Sequence, residues 1–184
     1  MSKNFFEIKN VTFSIGGKDK VNDVNIFIKN EGDIICILGP SGIGKTTMLR
    51  TIAGLEKINK GEIILKDKII SSDKIHIEPE KRNIALSFQE NSLFPHYSVD
   101  KNIHLGIKKN SQTDKNIDSK EIIKILNIED ILSKYPHQIS AGEAQRASLA
   151  RSLISQPDLL LLDEPLSNVD QSFKEDIQVS LKKL

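Results

Sequence analysis

The sequence contains a single cysteine, Cys36, and no long hydrophobic run. One cysteine excludes an internal disulfide and is typical of proteins from a reducing compartment. The longest apolar runs, residues 34–38 and 159–162, fall far short of the roughly 20 residues that a membrane-spanning helix needs. The first residues show no apolar stretch followed by a small-residue cleavage site, so we expect no secretory signal. These absences predict a cytosolic protein that does not span a membrane.

The sequence also lacks an excess of charge of either sign and a bias toward glycine or proline. Lys and Arg number 26 and Asp and Glu number 25, which leaves a formal net charge of +1 and no sign of a general nucleic-acid partner. Ten Gly and six Pro in 184 residues are too few to indicate disorder. With 38% hydrophobic residues, this length predicts one globular domain, 1–184.

The first third of the chain carries strand patterns followed by one helix pattern. Polar and apolar residues alternate over 5–30 around Gly16 and Gly17, which predicts an antiparallel hairpin. Residues 34–38 are all apolar and predict a strand buried on both faces of a parallel sheet, with Cys36 as a core residue. Residues 45–53 predict a helix that ends at Gly54.

The rest of the chain alternates between strand and helix patterns. Further strands are predicted at 62–65, 68–70 and 84–88, and a helical insert at about 91–157. The apolar run 159–162 predicts another buried strand, and 171–184 predicts a final helix. This order of elements is typical of an α/β fold.

Residues 39–46 read GPSGIGKT, which has the spacing of a phosphate-binding loop between a strand and a helix. Glycines permit the backbone angles that point successive N–H groups at a phosphate, next to the positive end of the helix dipole. Lys45 is expected to contact the terminal phosphates and the Thr46 hydroxyl to bind Mg²⁺. A Gly-rich turn without a ligand is the alternative. The candidate nucleotide-binding residues of this segment are Gly39, Pro40, Ser41, Gly42, Ile43, Gly44, Lys45, Thr46 and Thr47.

Two adjacent carboxylates, Asp163 and Glu164, follow the apolar run 159–162. Ligands of open α/β sheets bind where the strands end, so Asp163 is expected to hold Mg²⁺ through water. Glu164 is expected to polarise the water that attacks the γ-phosphate. The alternative is ordinary capping, since an acid before a proline is common at the start of a helix.

Residues 134–146 read KYPHQISAGEAQR, which resembles the signature segment of ATP-binding cassette (ABC) transporter ATPases. Residues 80–96 resemble the region of that family's Q-loop in import cassettes, and 167–170 resemble its D-loop. With the phosphate loop, these motifs stand in the family's order along the whole chain. The resemblance implies a P-loop NTPase core of the ABC type, with an N-terminal antiparallel β subdomain and a helical signature subdomain at about 91–157.

The resemblance also implies roles for single residues. In that family two cassettes pair head to tail, and each ATP lies between the phosphate loop of one subunit and the signature motif of the other. Carried over by position, Gln89 senses the γ-phosphate and Mg²⁺ and links them to the membrane partner. Ser140 and Gly142 complete the γ-phosphate site across the dimer. Asp170 couples the two sites.

Further implied contacts concern the membrane partner and the adenine base. The segment that includes Phe94 and His96 lies, by the resemblance, near the groove that receives a cytoplasmic helix of the permease. The family's adenine-stacking aromatic aligns with Ile15. Phe13 is on the same face of the strand, so it either substitutes for that aromatic or belongs to the core.

Besides Ile15 in place of the aromatic, this sequence departs from the family pattern in the signature motif and in the C-terminal part. Ala141 adds a methyl group where backbone approaches phosphate, and Glu143 adds a negative charge near it. The family's switch histidine follows one further strand, and His76, His96, His104 and His137 do not stand in that place. That strand lies between the phosphate-loop strand and the Glu164 strand, so its absence predicts unpaired backbone groups and low stability.

The resemblance implies an ATP-binding and ATP-hydrolysing subunit of an import system, peripheral on the cytoplasmic side of the membrane and similar to ferric-iron importers. ATP and Mg²⁺ are the expected cofactors. The expected partners are a second ABC ATPase subunit, a membrane permease and, indirectly, a solute-binding protein. The alternative is a non-hydrolysing remnant or regulatory nucleotide-binding module. A soluble ABC ATPase that acts on DNA or ribosomes is disfavoured, because heptad arms and a second cassette are absent.

Overall fold

The computed structural model describes residues 4–17, 19–87, 93–106 and 118–164. The chain divides into two compact units, Met1–Ile84 and Ala85–Leu184. The predicted helix at 171–184 and the D-loop segment 167–170 lie outside the described residues.

The first unit contains a four-stranded antiparallel sheet with the strand order β2-β1-β3-β4. The predicted hairpin is confirmed, since Phe6 of β1 pairs with Ile28 of β2 on one side and with Leu65 of β3 on the other. The pairing shifts register around Asn10, whose φ of 47° forms an irregularity in β1. The strands of this sheet are β1 Phe6–Ile15, β2 Asp19–Ile28, β3 Lys60–Leu65 and β4 Lys68–Ser71.

The helix that follows the phosphate loop is α1, Lys45–Ala53, as predicted. It begins after Gly44 and ends at Gly54, whose φ of 89° is a left-handed conformation that glycine adopts without a steric penalty. One face of α1 is buried, including Met48, Leu49 and Ile52. The apolar spacing of the helix therefore serves its packing in the first unit.

The prediction of a buried strand at 34–38 is wrong. These residues form no strand, and the exposed fractions of Ile34 and Leu38 are 70% and 87%. Cys36 is exposed and is not a core residue. A parallel strand is stable only when neighbouring strands bond to its edges, and no described strand pairs with this segment. The apolar run carries the propensity for a strand but has no partner among the described strands.

The second unit combines a two-stranded sheet with a helical core. Strand β5 pairs with β6, which confirms the strands predicted near 84–88 and at 159–162, although only Leu161 of β6 is buried. Within the described part of the predicted helical insert, three helices pack through apolar residues such as Ile103, Ile122 and Leu149, all fully buried. The elements are β5 Ile84–Ser87, α2 Val99–His104, α3 Ser119–Ile125, α4 Ala141–Ile154 and β6 Leu159–Leu162.

Within the described ranges, every helix is too short or too polar to cross a bilayer. The longest of them, α4, has 14 residues.

Candidate functional site

The phosphate loop stands at the N-terminal end of α1 and is exposed from Gly39 to Ile43. The half-buried Lys45 folds back over the loop, where its Nζ donates hydrogen bonds of 2.8 Å to the carbonyl oxygens of both Gly39 and Pro40. Thr46 is exposed on the first turn of the helix. The lysine ammonium is therefore held at the loop, where a phosphate chain could replace the two carbonyl acceptors.

Gly44, the last residue of the loop before α1, lies against the end of strand β1. Its φ is 100°, and a Cβ atom there would lie 2.7 Å from Cδ1 of Ile15 and 3.3 Å from Cγ2 of Val21. A side chain at this position would be both strained and in collision with Ile15, so glycine is required. The structure thus brings Ile15 into contact with the phosphate loop.

Phe13 belongs to the core of the sheet, with 2% of its surface exposed. Of the two alternatives for this residue, the core role is the one the structure supports. Ile15 is half-buried at the strand end and keeps the position beside the loop. The side chain nearest Gly44 is thus aliphatic and offers no aromatic face for stacking.

Asp163 and Glu164, the two adjacent carboxylate residues of the second unit, are held in place by hydrogen bonds to their backbone groups. The N–H group of Asp163 donates to the carbonyl oxygen of Ser87 at 3.1 Å, and Asp163 itself is 8% exposed. The carbonyl oxygen of Glu164 accepts a 3.2 Å hydrogen bond from Nε2 of Gln145, a buried residue of α4. Glu164 has a left-handed φ of 47° and an exposed side chain. Residues in this conformation are costly and persist where their surroundings hold them.

The signature segment continues into α4, with Ser140 at the N-cap and Gly142 in the first turn of the helix. Ser140 Oγ accepts from the Glu143 N–H at 3.3 Å, and the Glu143 carboxylate accepts from the Ser140 N–H at 2.7 Å. This is a capping box, which satisfies two backbone donors of the helix end. The same hydrogen bond from the Ser140 backbone lowers the pKa of Glu143. The Glu143 carboxylate is therefore ionised and stabilises the helix start.

Gln89 and Asp170 lie outside the described residues. The segment after Gln89 is described from Leu93 onward, and it carries a cluster of aromatic rings. The ring centroids of His96 and Tyr97 are 4.2 Å apart, and that of Phe94 is 6.0 Å from His96. Phe94 is 47% exposed.

Asn102, a residue that the sequence analysis did not identify, fixes the backbone of this aromatic turn through its side-chain hydrogen bonds. It is fully buried on α2. Its Oδ1 accepts from the Phe94 N–H at 2.8 Å, and its Nδ2 donates to the carbonyl oxygens of Phe94, Tyr97 and Ser98 at 3.0–3.1 Å. The available signal was a polar residue next to Ile103 and three positions after Val99, on the apolar face of the helix.

No group of three or more potential metal-ligating side chains occurs within residues 4–17, 19–87, 93–106 and 118–164. The histidines 76, 96, 104 and 137 accordingly form no cluster of the kind that binds zinc.

Comparisons with known proteins agree with the motifs. Residues 21–167 match the family model of the ABC transporter. The chain is 38% identical over 181 residues to the maltose/maltodextrin import ATP-binding protein MalK of Mannheimia succiniciproducens, covering 96% of this chain and 47% of that protein. It is also 38% identical over 186 residues to the Fe(3+) ions import ATP-binding protein FbpC of Escherichia coli O157:H7, covering 99% and 51%.

The chain spans about half the length of these curated relatives. Among solved structures, it is similar to a dimeric ATP-binding cassette bound to ADP and Pi in a post-hydrolysis state. The TM-score is 0.80 at 29% identity, with 97% of this chain and 82% of the other covered. The α/β fold expected from the motifs is confirmed. The family match, the identities and the shared fold show that this chain belongs to the ABC transporter family.

Proposed function

We propose that the chain binds MgATP and hydrolyses it as the ATP-binding subunit of an import system, in which a separate permease carries the solute. The observation that carries this proposal is the exposed phosphate loop at the N-terminus of α1, with the Lys45 ammonium held at the loop. A cationic side chain beside unpaired helix N–H groups is the chemistry that binds a phosphate chain.

The residues present fit a nucleotide with its magnesium ion. The space beside Gly42, where a Cβ atom would lie, is open, so no side chain blocks the approach of a phosphate to the loop backbone there. Mg²⁺ would neutralise charge on the β- and γ-phosphates. By family resemblance, we assign Thr46 and Asp163 to it as ligands, directly and through water, together with Gln89.

We assign Glu164 as the general base of the hydrolytic step. Glu164 is exposed and its backbone is fixed by Gln145 and by the neighbouring Asp163, so its carboxylate can orient a water molecule and take its proton. Lys45 stabilises the charge that develops on the phosphate oxygens.

A second cassette is the proposed partner for the nucleotide. The helix start at Ser140 and Gly142 would complete the γ-phosphate site of that partner in a head-to-tail pair, with Asp170 coupling the two sites. Ile15 is assigned to the base side of the nucleotide because it touches the loop at Gly44.

The relatives support a permease as partner but do not select a solute. Their names give them Fe(3+) and maltose/maltodextrin as cargo, at the same 38% identity, so the shared motifs mark an import ATPase without selecting iron over sugar. We place the protein at the cytoplasmic face of the membrane, bound to its permease, with a solute-binding protein as an indirect partner.

A second candidate function is a nucleotide-binding module that does not hydrolyse ATP. The observation that favours it is the exposed segment 34–38, which leads directly into the phosphate loop and pairs with no described strand. Binding of nucleotide is common to both candidates, and hydrolysis separates them.

Calorimetric titration of the purified wild-type chain tests the shared part of the proposal. We expect saturable binding of MgATP with a Kd in the range of about 1 µM to 1 mM, which is typical of enzyme substrates. AMP, which has no β- and γ-phosphates, is the matched control and should bind far more weakly. Equal Kd values for MgATP and AMP would contradict a site that recognises the β- and γ-phosphates.

The aromatic turn at residues 94–97 is the proposed docking face for a cytoplasmic helix of the permease. It exposes Phe94, and the buried Asn102 fixes its backbone. Asn102→Asp sets a carboxylate against the three carbonyl oxygens that Nδ2 now serves, and unpaired buried polar groups cost about 1–3 kcal/mol. We expect the ratio of permease-stimulated to basal ATPase activity to fall about tenfold.

The control for this experiment is Asn127→Asp, the same change at an exposed position. It should leave the ratio unchanged. A ratio equal to that of the wild type in the Asn102 variant would contradict docking at this turn.

A further inference from the structure

Arg82 is a buried arginine of the first unit that connects the C-terminal end of α1 to strand β4. Only 3% of its surface is exposed. Its guanidinium contacts five acceptors from three separate parts of the chain. They are the carbonyl oxygens of Thr51 (3.3 Å), Ile52 (2.9 Å) and Ile77 (2.6 Å), the hydroxyl of Ser71 (2.8 Å) and Nδ1 of His76 (3.3 Å).

Burying a cation is costly unless hydrogen bonds replace the water around it. Burial lowers the pKa of Arg82 to about 10, an effect that the negative charge of Glu78 partly offsets. The side chain is therefore still protonated at neutral pH. Because guanidinium nitrogens only donate, Nδ1 of His76 acts as an acceptor in this contact.

The contacts of Arg82 with Thr51 and Ile52 occur where α1 ends. The last carbonyl groups of a helix have no partner within the helix, and a positive charge there complements the helix dipole. Gly54 makes room for this arrangement, since a Cβ atom at that position would lie 2.4 Å from Nε of Arg82. The helix end and the arginine thus fit one another closely.

The opposite end of α1 holds the phosphate loop. There, the backbone of Gly44 packs against Ile15, while residues 39–43 are exposed. The position of the loop consequently depends on how the nine-residue helix is held. A helix this short behaves as a rigid rod, so a displacement at Ile52 moves Lys45 as well.

We infer that Arg82 is a positioning residue for the phosphate loop. It anchors the far end of α1 to Ser71 of β4 and to the carbonyl of Ile77, and thereby sets where Lys45 and the loop N–H groups meet a phosphate chain. The inference rests on the proposed nucleotide-binding function. Arg82 itself is not assigned a contact with nucleotide.

The variant Arg82→Met keeps the length of the aliphatic stem and removes all five hydrogen bonds. We expect the Kd for MgATP to rise about 10- to 100-fold, since small displacements of binding groups have effects of this size. The Kd is measured well below the unfolding midpoint, where circular dichroism shows the variant fully folded. Under that condition a residue that only stabilises the fold would leave the Kd unchanged.

Two controls separate positioning from general stability. Arg50→Met removes another arginine from the last turn of α1, but its side chain pairs with Glu56 at the surface, so the Kd should stay within about twofold. Ile63→Ala truncates a fully buried residue of β3, which should lower the unfolding midpoint substantially without changing the Kd.

A milder variant keeps the test decisive if Arg82→Met does not fold. Ser71→Ala removes only the hydroxyl acceptor on β4 and should raise the Kd about two- to fivefold. An unchanged Kd in folded Arg82→Met, an unchanged Kd in Ser71→Ala where Arg82→Met cannot be purified folded, or an equal rise in Ile63→Ala would overturn the inference. Failure of the wild type to bind MgATP would instead overturn the proposed function.

Discussion

Replacing Lys45 with alanine is expected to weaken MgATP binding by about 10- to 100-fold. The lysine ammonium now donates to two carbonyl oxygens of its own loop, both at 2.8 Å. A phosphate chain is a stronger acceptor, and hydrogen bonds to charged groups contribute about 1.5–3 kcal/mol, with tenfold in affinity for each 1.4 kcal/mol. Calorimetric titration of the variant with MgATP measures the loss.

The control for Lys45→Ala is Lys57→Ala. Lys57 is an exposed lysine of the same unit, so its removal changes the net charge equally without touching the loop. Its affinity for MgATP should match that of the wild type. If Lys45→Ala bound MgATP as tightly as Lys57→Ala, the assignment of the phosphate loop as the nucleotide site would be wrong.

Replacing Glu164 with glutamine is expected to lower the rate of ATP hydrolysis by about 10²- to 10⁴-fold, the usual contribution of a general base. The change preserves size and should preserve the backbone hydrogen bond from Gln145 to the carbonyl oxygen. Glutamine cannot accept the proton of the attacking water, whereas the contacts to the phosphate chain at Lys45 are unaffected. Release of inorganic phosphate under single-turnover conditions measures the effect, and the Kd for MgATP should change little.

The matched control is Glu129→Gln, the same substitution at an exposed position of the second unit. It should hydrolyse ATP at the wild-type rate. Hydrolysis by the wild type that Glu164→Gln abolishes would eliminate the non-hydrolysing alternative. Hydrolysis that persists in Glu164→Gln would remove Glu164 from the role of base.

Much of the secondary structure could be predicted because its causes are local. The alternation around Gly16 and Gly17 predicted the hairpin of β1 and β2, and the apolar spacing of α1 with Gly54 at its end predicted both limits of that helix. Backbone propensity and capping act over a few residues, so a short window of sequence contains the information.

Segment 34–38 shows where this local information fails. Its apolar pattern predicted a buried strand, yet its residues are exposed and unpaired with any described strand. Strand formation needs hydrogen-bonding partners that are distant in sequence, and pattern alone does not supply them. The sequence could not decide for the same reason whether Phe13 stacks on the adenine base or belongs to the core. Phe13 and Ile15 lie on one face of the strand, and only the tertiary structure shows what packs against each of them.

The sequence by itself determined which chemistry we propose for this protein, because the phosphate loop, the acid pair and the signature segment are contiguous motifs whose residue types and spacing point to nucleotide binding. The tertiary structure alone decided which buried polar residues support those motifs. Arg82 meets acceptors 5 to 31 positions away, and Gln145 reaches the carbonyl of Glu164 across 19 positions. Such hydrogen bonds exist only after the chain has folded, when burial removes water as the competing partner.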